Sequence, residues 1–217
     1  MKNLSIRLRL GIAFGIFLVI LVTVSVVSVV NLTDLEKSVE VVVNDRMIKV
    51  EQANQIINNV NLAARVIRNA LLENDLKEIE NELARRKEAS ANAAEFMNKL
   101  KSTIKSEKGK ELIRGIETVR TPYIRSLEKI EKLAFDFQNV EAKNEAKKLL
   151  FGEFRQHQSD YFNAVNALAE FQSDLAAEDG NKSIHEGLAA IKWIYFLSII
   201  SVILAIIVAI LIANSIT

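Results

Sequence analysis

Two long apolar runs flank a much more polar middle section of the chain. Residues 10–30 and 193–213 each contain 21 positions without a charged side chain. A helix of this length rises about 30 Å, which matches the hydrocarbon thickness of a bilayer. The first run is longer than the apolar part of a cleaved secretory signal, and no small-residue cleavage site follows Val30. We therefore expect two membrane-spanning helices in contact with the lipid bilayer.

The charges beside the first run predict the orientation. Lys2, Arg7 and Arg9 precede it, and basic residues favour the cytoplasmic side. We expect residues 1–9 in the cytoplasm, followed by a span at 10–30. We expect an exported domain at 31–190 and a second span at 191–213. The chain then has only four residues left, and we expect it to be a piece of a longer protein.

The exported segment has the composition of a soluble domain. Residues 31–190 hold 24 of the 28 basic residues and all 27 acidic ones, giving a charge of −3. Apolar residues recur there at spacings of three and four, which is typical of amphipathic helices. Four such series extend from Val39 to Leu71, Leu76 to Ile104, Leu112 to Phe137 and Ala146 to Leu175. Short connections predict an all-α, antiparallel up-down-up-down four-helix bundle, with helices 1 and 4 continuing into the spans.

Several residues mark the expected helix ends. Asp75 and Asn139 are typical N-cap residues, and Gly109 is expected just after the end of the second helix. Pro122 is expected to kink or loosen the third helix. The fourth helix either continues through residues 178–181 or bends there.

The composition and the motifs argue against several classes of protein. The chain has no Cys, so it forms no disulfide and no cysteine-ligated metal site. Its net charge of +1 gives no reason to expect nucleic-acid binding. His157 and His185 are the only histidines, and no phosphate-binding loop, zinc-protease motif or nucleophile elbow occurs. We expect no enzyme activity, no metal and no cofactor.

A pair of arginines is the strongest candidate for ligand binding. Arg65 and Arg68 lie three residues apart on the first helix of the bundle, and neither has an acidic residue one turn away. A guanidinium group is suited to bidentate binding of a carboxylate. The alternative is that both arginines are solvated or pair with acids on the second helix, and the sequence leaves the two readings open.

The positions of other residues along the bundle axis add further candidates to this site. Counting from the distal turns places five polar or aromatic residues within about one and a half turns of each other. They are Asn58, Ser90, Tyr123, His157 and Tyr161. Arg120 is expected just below this layer and Arg65 about two turns above its lower edge. The pattern predicts an anion pocket between the helices, although simple core packing is the more common role of such tyrosines.

The segments 44–50 (NDRMIKV), 53–57 (ANQII) and 64–72 (ARVIRNALL) carry a family resemblance. Together with the order span, bundle and span, they resemble the four-helix-bundle ligand-binding module of methyl-accepting chemotaxis proteins. Residues 212–217 (IANSIT) resemble the entry to a HAMP signal-relay domain, so a HAMP-like linker is expected to start at 214–217.

The resemblance implies a homodimeric, two-pass receptor in the bacterial cytoplasmic membrane, with its sensor domain in the periplasm or outside the cell. It implies an organic acid or amino acid as ligand and a cytoplasmic signalling domain beyond residue 217. Carried over by position, it points to Arg65, Arg68, Arg120, Tyr123 and Tyr161 as ligand-binding residues. A sensor histidine kinase or diguanylate cyclase would share this input architecture. A structural membrane tether without a ligand is the remaining alternative.

Overall fold

The computed structural model describes residues 6–216; Lys2 and Thr217, which carry part of the expectations above, lie outside them. This part of the chain contains helices and no strand. The α-helices are α1 (Ile6–Val41), α2 (Met47–Leu72), α3 (Leu76–Thr103), α4 (Glu107–Phe135), α5 (Val140–Phe151) and α6 (Glu153–Ile216). A π-helical segment (Val42–Arg46) joins α1 to α2.

The helices divide into two compact units. The first unit contains α1, the first two residues of the π-helical segment and the second part of α6, from Ala177 onwards. Its apolar side chains are largely exposed, as at Val19 (66%) and Ile199 (60%). Both helices are long and apolar enough to cross a membrane. Such exposure suits a lipid environment, since side chains of this kind are unfavourable in water.

The second unit, Asn44–Ala176, is the four-helix bundle that the sequence predicted. Its four segments are α2, α3, α4, and α5 followed by the first part of α6. The core consists of apolar residues at the predicted spacings, including Ile56, Ile79, Leu127 and Leu168, which are all fully buried. Burial of this apolar surface is the main force that holds such a bundle together.

Side-chain caps start α3, α4 and α5. The Asp75 carboxylate accepts hydrogen bonds from the backbone N–H groups of Lys77 and Glu78. Asn139 caps α5 in the same way, accepting from Glu141 and Ala142. These bonds satisfy N–H groups that have no partner within the helix. Both predicted N-caps are confirmed.

The predicted role of Gly109 is wrong. Helix α3 ends at Thr103, and Gly109 lies in the first turn of α4, where its N–H donates to the Ser106 hydroxyl. A Cβ atom at Gly109 would lie 2.5 Å from Ile104 Cγ2 and 2.8 Å from Ser106 Oγ. The glycine is therefore required by the close approach of the turn before α4, not by the end of α3.

The fourth bundle segment is interrupted where one continuous helix was expected. Helix α5 ends at Phe151 and α6 begins at Glu153, with Gly152 between them. The Gly152 N–H still donates to the Lys148 carbonyl at 3.0 Å. Beyond this break α6 is helical through residues 178–181, so no interruption occurs there. Helix α4 likewise continues through Pro122.

Candidate functional site

Two buried tyrosines form the centre of the polar layer inside the bundle. Tyr123 on α4 and Tyr161 on α6 are 2% and 1% exposed. Their ring centroids lie 5.2 Å apart at an angle of 39°, and the Tyr123 ring also stacks on Phe154 at 5.7 Å. Heptad spacing places both tyrosines on the core-facing side of their helices, where three aromatic rings fill the space between α4 and α6.

A small cavity lies beside these rings. Among the residues that line it are Asn59 on α2, Ser90 on α3, and Arg120, Tyr123 and Tyr161. Its volume is about 10 Å³, which is close to the smallest volume that accommodates one water molecule, roughly 10–15 Å³. An amino acid or organic acid does not fit in this cavity.

The hydroxyl groups at the cavity differ in their hydrogen bonding. The Tyr123 hydroxyl donates a long bond of 3.5 Å to the Val60 carbonyl. Ser90 Oγ and Tyr161 Oη are buried and make no hydrogen bond within standard distance and angle among the described residues, although the Arg120 guanidinium is close enough to interact with Tyr161. Buried hydroxyls normally have a partner. The cavity size and these two hydroxyls together suit a single bridging water molecule.

Burial also determines the protonation of the tyrosines. Loss of solvent raises the pKa of Tyr123 well above its ordinary value, and the neighbouring Tyr161 raises it further. Burial likewise raises the pKa of Tyr161, while the charge and N–H groups of nearby Arg120 act in the opposite direction. Both hydroxyls are therefore protonated donors at neutral pH.

A buried ion pair that the sequence did not predict lies beside the polar layer of Tyr123 and Tyr161. Arg86 on α3 is 7% exposed and pairs with Glu131 on α4, to which Lys87 also contributes at 3.4 Å. Burial lowers the pKa of Arg86, and the charge of Glu128 opposes this effect. The signal was present, since residues 79, 83, 86, 90, 93 and 97 follow one heptad seam in which Arg86 and Ser90 replace apolar residues.

The structure thus brings Ser90, Arg120, Tyr123 and Tyr161 together, as the sequence predicted, but not Asn58. Asn58 is exposed, and Asn59 lines the cavity instead. Successive residues on a helix are rotated by about 100°, so an error of one residue moves a side chain from the core to the surface. His157 is half-buried in the same region and lies 3.2 Å from the Ser126 hydroxyl through Nδ1.

The two arginines of α2 lie on the outer surface of the bundle. Arg65 and Arg68 are both exposed, and neither has an ion-pair partner within residues 6–216. Asn58 lies seven residues before Arg65, which is two helical turns on the same face. Asn58, Asn61, Arg65 and Arg68 therefore form one exposed stripe of hydrogen-bond donors, which we call the α2 stripe.

Within residues 6–216, no three His, Asp or Glu side chains lie close enough together to hold a metal ion. The polar groups that line the cavity beside Tyr161 are hydroxyls, the Asn59 amide and the Arg120 guanidinium, and their N–H and O–H groups can donate hydrogen bonds to anions.

A comparison with known protein families identifies the class of protein. A family model described as a four-helix-bundle sensory module for signal transduction matches residues 3–186. The chain belongs to this family, whose members are the sensory modules of methyl-accepting chemotaxis proteins. The family is a signalling module rather than a catalytic one. With two helices able to cross a membrane, the chain fits a two-pass membrane protein. No curated protein and no solved structure gives a significant match.

Proposed function

We propose that the chain is the sensory module of a transmembrane chemoreceptor that detects a small anionic solute, an organic acid or an amino acid. In this proposal residues 31–190 lie in the periplasm or outside the cell, and residues 10–30 and 191–213 cross the bacterial cytoplasmic membrane. The receptor is a homodimer. A HAMP-like linker starting at 214–217 passes the signal to a cytoplasmic domain that controls chemotaxis.

The observation that carries the proposal is the α2 stripe. Two guanidinium groups without acidic partners repel each other modestly on one helix face, and a bound carboxylate would relieve this repulsion. Each guanidinium can bind a carboxylate with two parallel hydrogen bonds. The amide of Asn58, on the same face, adds donors and acceptors for the rest of an amino acid.

The ligand is proposed to bind on the stripe rather than inside the bundle. The internal cavity of about 10 Å³ is too small for it. Arg120 is half-buried and has the reach to contribute its guanidinium from the side of α4. In this arrangement the ligand does not touch Ser90, Tyr123 or Tyr161. These residues instead determine how α3, α4 and α6 pack behind the stripe. The second copy of the chain would cover the stripe from outside.

Signal transmission is proposed to use α6. This helix contributes to the bundle and contains the second apolar run. A ligand shifts two states of a receptor only by its difference in affinity for them, typically about 1–3 kcal/mol. We infer that ligand binding favours one packing of α6 against α4 at the Tyr123–Tyr161 contact, and that the second span moves with α6.

Calorimetry of the whole chain in lipid nanodiscs tests the proposal. Dicarboxylates and the common amino acids are titrated in turn against the parent protein and against the double variant Arg65→Gln/Arg68→Gln. Loss of charge-assisted hydrogen bonds should weaken binding at least about tenfold. The variant Arg114→Gln removes an equally exposed arginine on α4 and should bind normally.

Two results would contradict this account. If the double variant binds every detected solute as well as the parent does, the α2 stripe is not the site. If no solute binds the parent chain, the receptor proposal loses its direct ligand and the structural-tether alternative gains support. A separate Arg120→Gln variant tests whether α4 contributes to the site.

A further inference from the structure

A groove runs between α1 and the second part of α6, within the first unit of the chain. One section of it, about 560 Å³, is lined by apolar side chains such as Phe17, Leu21 and Val202. The adjoining section, also about 560 Å³, has apolar and charged residues in its walls. We call them the apolar section and the polar section. Each is within the size range of small-molecule sites, roughly 300–1,000 Å³.

The polar section carries more acidic than basic groups. Asp34 and Glu186 provide two carboxylates, and Lys37 provides one ammonium group. Asp34 is 3.7 Å from Lys37 and Glu186 is 4.0 Å from Lys182, and all of these side chains are more than 60% exposed. Ion pairs so open to solvent contribute little, about 0–1 kcal/mol. The two carboxylates are therefore free to exchange their partners for a ligand.

The amide of Asn31 adds an uncharged hydrogen-bond acceptor to the polar section. The Asn31 amide nitrogen donates to the Val27 carbonyl at 2.8 Å. This bond orients the amide and leaves its oxygen free to accept. Asn31, Asp34 and Glu186 together therefore offer five acceptor oxygens, and Lys37 is the single cation in the wall of this section.

The polar section lies at the level of lipid head groups if the two charge-free runs span the bilayer. Asp34 follows the first run by four residues, and Glu186 precedes the second by seven. At about 1.5 Å per residue these carboxylates lie roughly 6–10 Å beyond the hydrocarbon. The head-group layer is about 5–8 Å thick. Trp193, which also lines the section, is a typical residue of this boundary.

We propose that this groove binds one phospholipid whose head group carries a primary amine, as in phosphatidylethanolamine. The ammonium group donates to the carboxylates of Asp34 and Glu186, the phosphate pairs with Lys37, whose side chain lies beside Asp34, and an acyl chain occupies the apolar section. A primary ammonium has three N–H donors, and the two carboxylates offer four oxygens that can accept them. A choline head group has no N–H donor, and a glycerol head group brings no positive charge to the two carboxylates.

The inference goes beyond the sensing proposal and does not depend on a solute at the α2 stripe. A lipid that contacts both α1 and α6 favours one relative position of these helices. It would therefore act on the same helix that is proposed to carry the signal, and the lipid composition would set the resting state of the receptor.

Native mass spectrometry of the chain released from nanodiscs tests the proposal. The nanodiscs contain equal amounts of phosphatidylethanolamine, phosphatidylcholine and phosphatidylglycerol. We expect the parent protein to retain the ethanolamine lipid at least about tenfold over the choline lipid, the ratio that one charge-assisted hydrogen bond supplies. The double variant Asp34→Asn/Glu186→Gln should bring this ratio close to one. Equal retention of the three lipids by the parent protein would overturn the proposal.

A matched control separates the head-group contacts from net charge. The double variant Glu36→Gln/Glu40→Gln removes two acids from the same end of α1, both exposed and neither lining the groove. It should retain the ethanolamine lipid like the parent protein, and a similar loss in both double variants would overturn the proposal. Because the chain has no Cys, Ser38→Cys also reports a second copy in the groove. A disulfide between two copies without retained lipid would show that protein, not lipid, occupies it.

Discussion

The ring of Tyr161 lies 5.2 Å from the ring of Tyr123, and the two rings are inclined by 39°. One ring belongs to α6 and the other to α4, so this contact reports directly how these helices pack. Both hydroxyls are in a layer that also contains Ser90 and Arg120. A polar layer in a helical core costs stability but restricts the ways in which the helices can pack.

The small cavity beside Tyr161 predicts coupling between two hydroxyl groups. If one water molecule bridges Ser90 and Tyr161, then Ser90→Ala and Tyr161→Phe should each lower the free energy of unfolding by about 1 kcal/mol. The double variant should lose about 0.5–1 kcal/mol less than the sum, because both substitutions break the same bridge. Urea unfolding of the chain in detergent, followed by circular dichroism, measures the cycle. Strictly additive losses, or a gain in stability from Tyr161→Phe, would exclude the bridge.

Because Arg86 forms a buried ion pair with Glu131, replacing it should lower the free energy of unfolding far more than replacing the adjacent, exposed Arg85. Arg86→Ala leaves Glu131 without its buried partner, and we expect the free energy of unfolding to fall by about 3–5 kcal/mol. Arg85→Ala removes an arginine that is 54% exposed and pairs with Glu82, and it should cost less than about 1 kcal/mol. The same unfolding assay compares them, and equal losses would contradict the assigned burial of Arg86.

The two glycines of α4 should respond oppositely to alanine. A Cβ at Gly109 meets Ile104 and Ser106, whereas a Cβ at Gly115 meets nothing within 4 Å. Gly109→Ala should therefore destabilise the bundle by about 1–3 kcal/mol through overpacking. Gly115→Ala should stabilise it by about 0.5–1 kcal/mol, since alanine favours the helix. Thermal melting curves give both signs, and a stabilising Gly109→Ala would show that the turn before α4 is not tightly packed.

The raised pKa values of the buried tyrosines predict a loss of stability at alkaline pH. In the unfolded chain a tyrosine ionises near pH 10, whereas burial keeps Tyr123 and Tyr161 protonated to higher pH. The stabilisation that these two tyrosines give the folded state is therefore complete below pH 10. Above pH 10 the free energy of unfolding falls by up to about 1.4 kcal/mol per pH unit for each tyrosine. Tyr161→Phe should reduce this slope. Ultraviolet titration in which all tyrosines ionise together near pH 10 would contradict the prediction.

Most of the fold could be predicted from local sequence patterns. The heptad spacing located the four bundle segments, and Asp75 and Asn139 located two helix starts. The two predictions about the fold that were wrong, an unbroken fourth bundle helix and the role of Gly109, depended on tertiary packing. The break at Gly152 lies inside an unbroken apolar series, and the close approach of Ile104 to Gly109 involves a turn whose shape the sequence does not reveal.

The candidate site was predictable only in part for the same reason. Depth along a bundle follows from counting residues, which placed Ser90, Tyr123 and Tyr161 correctly in one layer. The rotation of each helix about its axis follows from packing. It decides that Asn59 rather than Asn58 lines the cavity, and it turns Arg65 and Arg68 outward. Arg86 was overlooked because a possible partner, Glu82, lies one turn away on the same helix.

The central claim is that the bundle is outside the cell membrane while the amino terminus is inside. Single cysteines at the exposed Ala91 of α3 and at Asn3, introduced separately into the cysteine-free chain, test it with a membrane-impermeant maleimide on intact spheroplasts. We expect Ala91→Cys to be labelled on intact spheroplasts and Asn3→Cys to be labelled only after lysis. Protection of Ala91→Cys until lysis would contradict it.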